Sequence, residues 1–115
     1  VGPDLAPYYT DDPDLAQALE QGARAGSDPV WRLPFHDAYE AVIEPGIADL
    51  DNAPGFGFAG SITAALFLRR FADHPRYMHF DIYGHTPTDA PARPKGGVGQ
   101  GARAILNGLP QMLGF

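Results

Sequence analysis

Small and apolar residues near the start of the chain recur at the spacing of an α-helix. They are Leu15, Ala18, Leu19 and Gly22. Residues three and four positions apart share one helix face, so this pattern predicts an amphipathic helix. Asp12 followed by Pro13 is typical of a helix start, because aspartate caps free amide groups and proline fits the first turn. We predict a surface helix that starts after Asp12 and ends at Gly26.

A second helical pattern, over residues 60–72, is apolar on nearly every side. Its apolar members are Ile62, Ala64, Ala65, Leu66, Phe67, Leu68 and Phe71. Ser61 is predicted to cap its start, and Arg69 and Arg70 lie near its end, where positive charge is favourable. A helix of this kind is usually buried on several sides. The rest of the chain has little apolar mass to cover it, so we expect most of the domain to lie upstream.

The remaining elements are predicted to be short. Residues 77–83 alternate like a strand, with Met78, Phe80 and Ile82 on one face. Residues 30–34 indicate an extended segment that leads into a brief helix over residues 36–43, and Pro45 and Gly46 end that helix. The other predicted segments are turn or loop over residues 47–52, 54–57 and 84–98, and a final helix over residues 101–109.

Composition and charge argue against several classes of function. The chain has 115 residues, a formal net charge of −6 and no cysteine. An acidic chain lacks the positive field that attracts nucleic acid or an anionic membrane. Without cysteine there is no disulfide framework and no thiolate metal cluster. No apolar run is long enough to span a membrane, and no signal-peptide pattern opens the chain. We expect a cytoplasmic protein without a nucleic-acid or membrane partner.

One strand offers a pair of potential metal ligands. His79 and Asp81 are two residues apart, so their side chains leave the strand on the same side. A metal site needs further ligands, and such pairs are more often satisfied by backbone groups. We therefore assign no metal to this pair.

Candidate nucleophile and base groups do not form a complete catalytic set. His36 beside Asp37, or His85 beside Thr86, could pair a base with an orienting group. No serine elbow and no cysteine nucleophile accompanies them. Ser61 has the context of a helix cap instead.

Two other motifs are interpreted as structural. The glycine-rich residues 96–101 precede a helix but match neither the dinucleotide nor the phosphate-loop pattern. We predict a turn there that passes close to a neighbouring backbone and edges a cleft. Asp49 and Asp51 are expected to bond local backbone amides.

Four blocks, taken in order, resemble successive blocks of the leucyl aminopeptidase family. They are VWRLP at residues 30–34, IADLDN at 47–52, AGSITAALFLRRF at 59–71 and HFDIYG at 79–84. Residues 95–103 are similar to the family's glycine-rich approach to its last helix. The resemblance spans nearly the whole chain. We interpret residues 1–115 as the C-terminal portion of an incomplete catalytic domain, which suits a chain that opens on Val1 without an initiator methionine.

The resemblance implies an α/β fold with a mixed sheet between helices, as in zinc-dependent exopeptidases. Members of the family remove N-terminal residues from peptides with two divalent ions, commonly zinc or manganese, and usually assemble as hexamers. Their metal ligands lie in a lysine-and-aspartate segment and an Asn-Thr-Asp-Ala-Glu-Gly-Arg motif, and neither occurs in these residues. We therefore carry over no metal ligand and no catalytic residue, and expect the chain to be inactive alone.

One part of the family's site has matching positions. Residues just after the His-x-Asp-Ile block help to line the pocket for the substrate's first side chain, and they correspond here to Tyr83, Gly84, His85 and Thr86. Tyr83 replaces the alanine common in better-known members, so it would narrow or re-polarise the pocket. The implied partners are a peptide substrate, the upstream part of the domain and further copies of the protein. The alternative is a non-catalytic binding or oligomerisation module, which the absence of an upstream metal motif would favour.

Overall fold

A computed structural model describes residues 1–44, 50–51, 54–55 and 57–115. Its elements in chain order are β1 (Ala6–Tyr9), α1 (Pro13–Ala25), β2 (Val30–Arg32), a 3₁₀ helix (Asp37–Ile43), α2 (Gly60–Ala72), β3 (His79–Phe80), β4 (His85–Thr86), β5 (Gly96–Gly97) and α3 (Ala102–Leu113). β1 is the central strand of a three-stranded sheet, parallel to β2 and antiparallel to β3. The predicted α/β class with a mixed sheet flanked by helices is confirmed. Across the described ranges, every helix is too short or too polar to cross a membrane.

Two adjacent tyrosines of β1 contact the helices that pack on the two faces of the sheet. Tyr8 and Tyr9 are both fully buried, and successive strand residues point to opposite faces. The Tyr8 hydroxyl donates to the Glu20 carboxylate of α1 at 2.6 Å. The Tyr9 hydroxyl lies 2.8 Å from Ser61 Oγ of α2. α1 therefore covers one face of the sheet and α2 covers the other.

The first helix forms as its sequence predicts. The Asp12 carboxylate accepts hydrogen bonds from the backbone N–H groups of Asp14 and Leu15, and Gly26 ends the helix. The buried side of α1 consists of Leu15, Ala16, Ala18, Leu19, Gly22 and Ala23. Tyr8 and Ala104 join this side in one apolar core cluster.

Two glycines let α1 and α3 pack backbone against backbone. A Cβ atom added at Gly22 would lie 2.5 Å from Gly108 N, and one added at Gly108 would lie 2.6 Å from Ala18 O. Both distances are far shorter than ordinary van der Waals contact. Side chains at either glycine would therefore force the two helices apart.

Two arginines at the end of α2 hold the 3₁₀ helix beside it. Arg69 lies over the ring of Phe35 at 4.3 Å, and Arg70 donates to Glu40 at 2.7 Å. The carboxylates that accept from Arg69, each at 2.8 Å, are those of Asp11, Asp37 and Glu40. Burial alone would raise the pKa of Glu40, but the hydrogen bonds and charges of Arg69 and Arg70 lower it below its ordinary value.

One prediction for α2 was wrong. Ser61 does not cap the helix, because α2 begins at Gly60 after Ala59, which lies in the left-handed region (φ 56°) and makes no side-chain cap hydrogen bond. Ser61 is instead bonded to Tyr9 across the sheet. The sheet and the 3₁₀ helix cover only part of α2 within the described residues, so Leu68 is 45% exposed and Phe71 is 66% exposed. The expectation that further chain covers this helix stays a prediction.

The later elements differ in length from the prediction. The strand predicted over residues 77–83 pairs only at His79 and Phe80, because β1 is short and the chain then turns at Gly84. The predicted loop over residues 84–98 contains the β4–β5 pair. The last helix continues through Pro110 to Leu113 and ends at Gly114, whose φ of 78° stops it.

Some predictions cannot be compared with the fold. Pro45, Gly46 and Asp49 lie outside the described residues, as does most of the stretch 47–52 and part of 54–57. For Asp51 the structure gives a backbone bond, from its N–H to the carbonyl of Ile43 at 2.8 Å. The predicted bonding of the Asp51 carboxylate to nearby amides stays a prediction.

Candidate functional site

The four residues predicted to line a substrate pocket lie where the chain leaves the main sheet. Tyr83 and Gly84 form the turn after β3, and His85 and Thr86 form β4. β4 pairs antiparallel with β5, with His85 opposite Gly97 and Thr86 opposite Gly96. The structure therefore places all four on one short segment, called here the 83–86 segment, with a second strand beside part of it.

Gly84 is held on both of its backbone groups. Its N–H donates to Oε1 of Gln100 at 2.9 Å, and its carbonyl accepts from the N–H of Val98 at 3.1 Å. Its φ is +67°, a conformation that glycine adopts readily and most other residues do not. The conformation of the segment is therefore set by the glycine-rich stretch that faces it.

The Tyr83 ring lies on the surface of the chain. Its side chain is 58% exposed, and its ring meets the ring of His85 edge to face, with 6.1 Å between centroids. An aromatic ring with a free edge and a hydroxyl can pack against an apolar side chain and also form a hydrogen bond. The arrangement suits one wall of a pocket whose other walls come from elsewhere.

His85 and Thr86 also line a cleft beside the β4–β5 hairpin. The cleft has a volume of about 680 Å³, and its lining includes His85, Thr86, Asp28 and Arg103 but not Tyr83 or Gly84. Its walls are the hairpin and the turn between α1 and β2. The 83–86 segment is therefore divided, with Tyr83 outside the cleft and β4 along its edge.

A buried aspartate fixes the glycine-rich stretch at its far end. Asp28 is only 4% exposed, and its carboxylate accepts from the backbone N–H groups of Gly101, Arg103 and Ala104 at 3.0–3.2 Å. The Arg103 guanidinium donates in turn to the carbonyls of Gly26 and Ser27. The start of α3 is thus anchored to the α1–β2 turn from both sides.

The glycine-rich stretch approaches a neighbouring backbone, as predicted, where Gly96 and Gly97 pair with β4. At Gly101 the neighbour is a side chain instead: the φ of Gly101 is +84°, and a Cβ atom there would lie 3.1 Å from the ring of Phe80. The stretch also edges a cleft, as predicted, because Gly97, Val98, Gly99 and Gln100 line the one beside the hairpin. The roles of Asp28 and Gln100 were missed, since their partners lie far away in sequence and no local motif marks them.

His79 and Asp81 do not form a metal site with their neighbours in the described residues. The His79 ring lies 6.0 Å from the Tyr9 ring, and Asp81 donates its N–H to the carbonyl of Pro7. Burial lowers the pKa of His79, with the charge of Asp81 opposing that shift. Across residues 1–44, 50–51, 54–55 and 57–115, no three His, Asp or Glu side chains are grouped so as to hold a metal ion.

The other candidate groups are not brought together either. Ser61 Oγ is bonded to the Tyr9 hydroxyl, and the His36 ring packs edge-on against Tyr39, 4.6 Å between centroids. His85 contacts Tyr83 rather than a nucleophile. These contacts are structural, and none pairs a hydroxyl with a base.

Comparisons with known proteins agree on one family. Residues 1–106 match the model of the cytosol aminopeptidase family, catalytic domain. The chain is 39% identical over 113 residues to a probable cytosol aminopeptidase 1 of Shewanella oneidensis, covering 96% of this chain and 23% of that protein. Over 77 residues it is 46% identical to a probable cytosol aminopeptidase of Legionella pneumophila, covering 67% of this chain and 16% of that protein.

Solved structures give the same result. The cytosol aminopeptidase of Coxiella burnetii superposes with a TM-score of 0.86 at 40% identity, over 96% of this chain and 24% of that chain. A variant of tomato leucine aminopeptidase gives a TM-score of 0.79 at 31% identity, over 95% of this chain and 21% of that chain. The chain therefore spans about a quarter or less of the length of these relatives. By sequence and by fold, the chain belongs to the cytosol aminopeptidase family.

Proposed function

We propose that this chain is the C-terminal section of the catalytic domain of a two-metal aminopeptidase, which hydrolyses N-terminal residues from peptides. The observation that carries the proposal is the family match over residues 1–106. In this proposal the section supplies one wall of the pocket for the substrate's first side chain. It does not supply the metal ligands, and alone it is inactive.

The exposed apolar faces support the view that further protein covers this section. Phe71 on α2 is 66% exposed, and Leu106 on α3 is 68% exposed. Large apolar side chains grouped on one helix face usually mark a contact with other protein. Relatives that are four times as long or more contain the additional chain that such a contact needs.

The described residues do not fit a metal centre, since they offer no group of three suitable side chains. We therefore place the two divalent ions, zinc or manganese, on residues outside this chain, and we assign no step of the reaction to its side chains. The role of the 83–86 segment is to shape the pocket. Tyr83 would contact the first side chain of the peptide, and Gly84, His85 and Thr86 would hold that tyrosine in place.

The proposal extends to the assembly and location of the whole protein. We propose that it works in the cytoplasm as a homo-oligomer, a hexamer. Sedimentation of the full-length protein tests the assembly, and a monomer at micromolar concentration would contradict it.

Hydrolysis of leucine amide by the full-length protein tests the activity. With added manganese we expect release of free leucine, and we expect a chelator to abolish it. N-acetyl-leucine amide is the matched control, because an aminopeptidase requires a free amino terminus. No turnover of leucine amide, or turnover that survives chelation, would contradict the proposal.

A further inference from the structure

The 83–86 segment depends on one side chain from the opposite stretch. Gln100 accepts a hydrogen bond on Oε1 from the Gly84 N–H at 2.9 Å, and its Nε2 donates to the carbonyl of Pro3 at 2.7 Å. One amide side chain therefore connects the turn after β3 to the start of the chain, and both its oxygen and its nitrogen form hydrogen bonds.

The backbone of Gln100 is well placed to act as a fixed support. The next residue, Gly101, donates its N–H to the buried carboxylate of Asp28 at 3.2 Å. Two residues earlier, Val98 donates to the Gly84 carbonyl at 3.1 Å. Hydrogen bonds therefore fix the backbone on both sides of Gln100.

Space alone does not fix Gly84. A Cβ atom there would meet nothing closer than 3.7 Å, from Ile82, so a methyl group would have room at this position. Glycine is also free to leave the left-handed region without steric cost. The two hydrogen bonds of the Gly84 backbone restrict that freedom, and the Gln100 side chain provides the one to the amide that follows Tyr83.

We infer that Gln100 is a positioning residue, which sets the direction of Tyr83 by fixing the peptide group between Tyr83 and Gly84. This inference rests on the proposed function. It means that Gln100, which is not part of the pocket wall, influences which N-terminal residue of the peptide the enzyme prefers. Gln100 acts through Gly84 and touches no substrate. Its loss should therefore change which first residues fit, without disabling the reaction.

One substitution removes the hydrogen bonds of Gln100. Gln100→Met keeps the side-chain length but removes both bonds. Gln111→Met is the matched control, since it makes the same chemical change at an exposed position of α3.

In the full-length protein, Gln100→Met should raise KM for leucine amide about five- to tenfold and change kcat by less than about twofold. Its preference among leucine, phenylalanine and alanine amides should also become flatter. Gln111→Met should keep the wild-type profile. A wild-type profile in Gln100→Met, or an equal change in Gln111→Met, would overturn the inference.

Hydrogen exchange at the Gly84 amide gives a readout that does not need activity. This amide should exchange faster in Gln100→Met and should stay protected in Gln111→Met. If the wild-type protein fails to hydrolyse leucine amide, the proposed function fails, and the exchange result still decides whether Gln100 holds the turn. Equal exchange at Gly84 in all three proteins would refute that hold.

Discussion

Replacing Gly22 by alanine tests the packing that joins α1 to α3. The new methyl group would lie 2.5 Å from Gly108 N and closer still to the carbonyl oxygen of Ala104. Both obstacles are backbone atoms, so no side chain can rotate away to make room. The helices must instead separate by about 1 Å to restore ordinary contact.

The expected cost follows from two opposing effects. Overpacking of a well-packed contact costs about 1–3 kcal/mol. Alanine in a helix interior is favoured over glycine by about 0.5–1 kcal/mol. The steric effect is larger, so Gly22→Ala should destabilise the α1–α3 pair by about 1–2 kcal/mol. Without the clash, the same substitution would stabilise α1.

Native-state hydrogen exchange of the full-length protein measures this effect where it occurs. The free energy of local opening should fall by about 1–2 kcal/mol for amides of α1 and α3, and should stay unchanged in α2. Gly60→Ala is the matched control, because it lies in the first turn of α2 with nothing within 4 Å of the new methyl group. Equal or greater protection of α1 in Gly22→Ala would refute the reasoning.

Two further predictions concern stability. Asp28→Ala should lower the free energy of unfolding by about 2 kcal/mol, because three N–H donors at the start of α3 lose their acceptor. Chemical denaturation checks this against exposed Asp4→Ala, and equal midpoints would contradict it. For Glu40, the folded pKa lies below its ordinary 4.5, so its stabilising contribution is complete above that value and is lost as pH falls through the folded pKa. The stability gap between wild type and Glu40→Gln should therefore shrink in acid, and a constant gap would count against it.

The first helix shows how much a local pattern can specify. Asp12, Pro13 and Gly26 lie at the helix ends, where their capping and turn chemistry acts on neighbouring residues. Both ends of α1 could therefore be predicted. The mixed sheet, by comparison, was expected only from the family resemblance, because its strands are two to four residues long and carry little periodicity.

Partners far apart in sequence explain the errors. Ser61 has the local context of a cap, but the Tyr9 hydroxyl, 52 residues away, takes its side chain. Asp28 caps α3 from 73 residues or more away. A pattern of neighbouring residues cannot reveal a contact over that distance in sequence. The positions predicted to line a substrate pocket came from the family resemblance alone, and the role of Gln100 followed only from its hydrogen bond to Gly84 in the structure.

The central claim is that this chain supplies a wall of the substrate pocket and that residues outside it bind the metal ions. Tyr83→Ala tests this claim most directly. In the full-length protein this variant should keep the metal content of the wild type, because the metal ligands are proposed to lie outside this chain. Its kcat/KM should shift toward bulkier first residues, by about tenfold for phenylalanine amide relative to alanine amide, as the pocket widens. Metal analysis and substrate profiles of the same preparation measure both quantities. Loss of metal, or an unchanged substrate profile, would contradict the account.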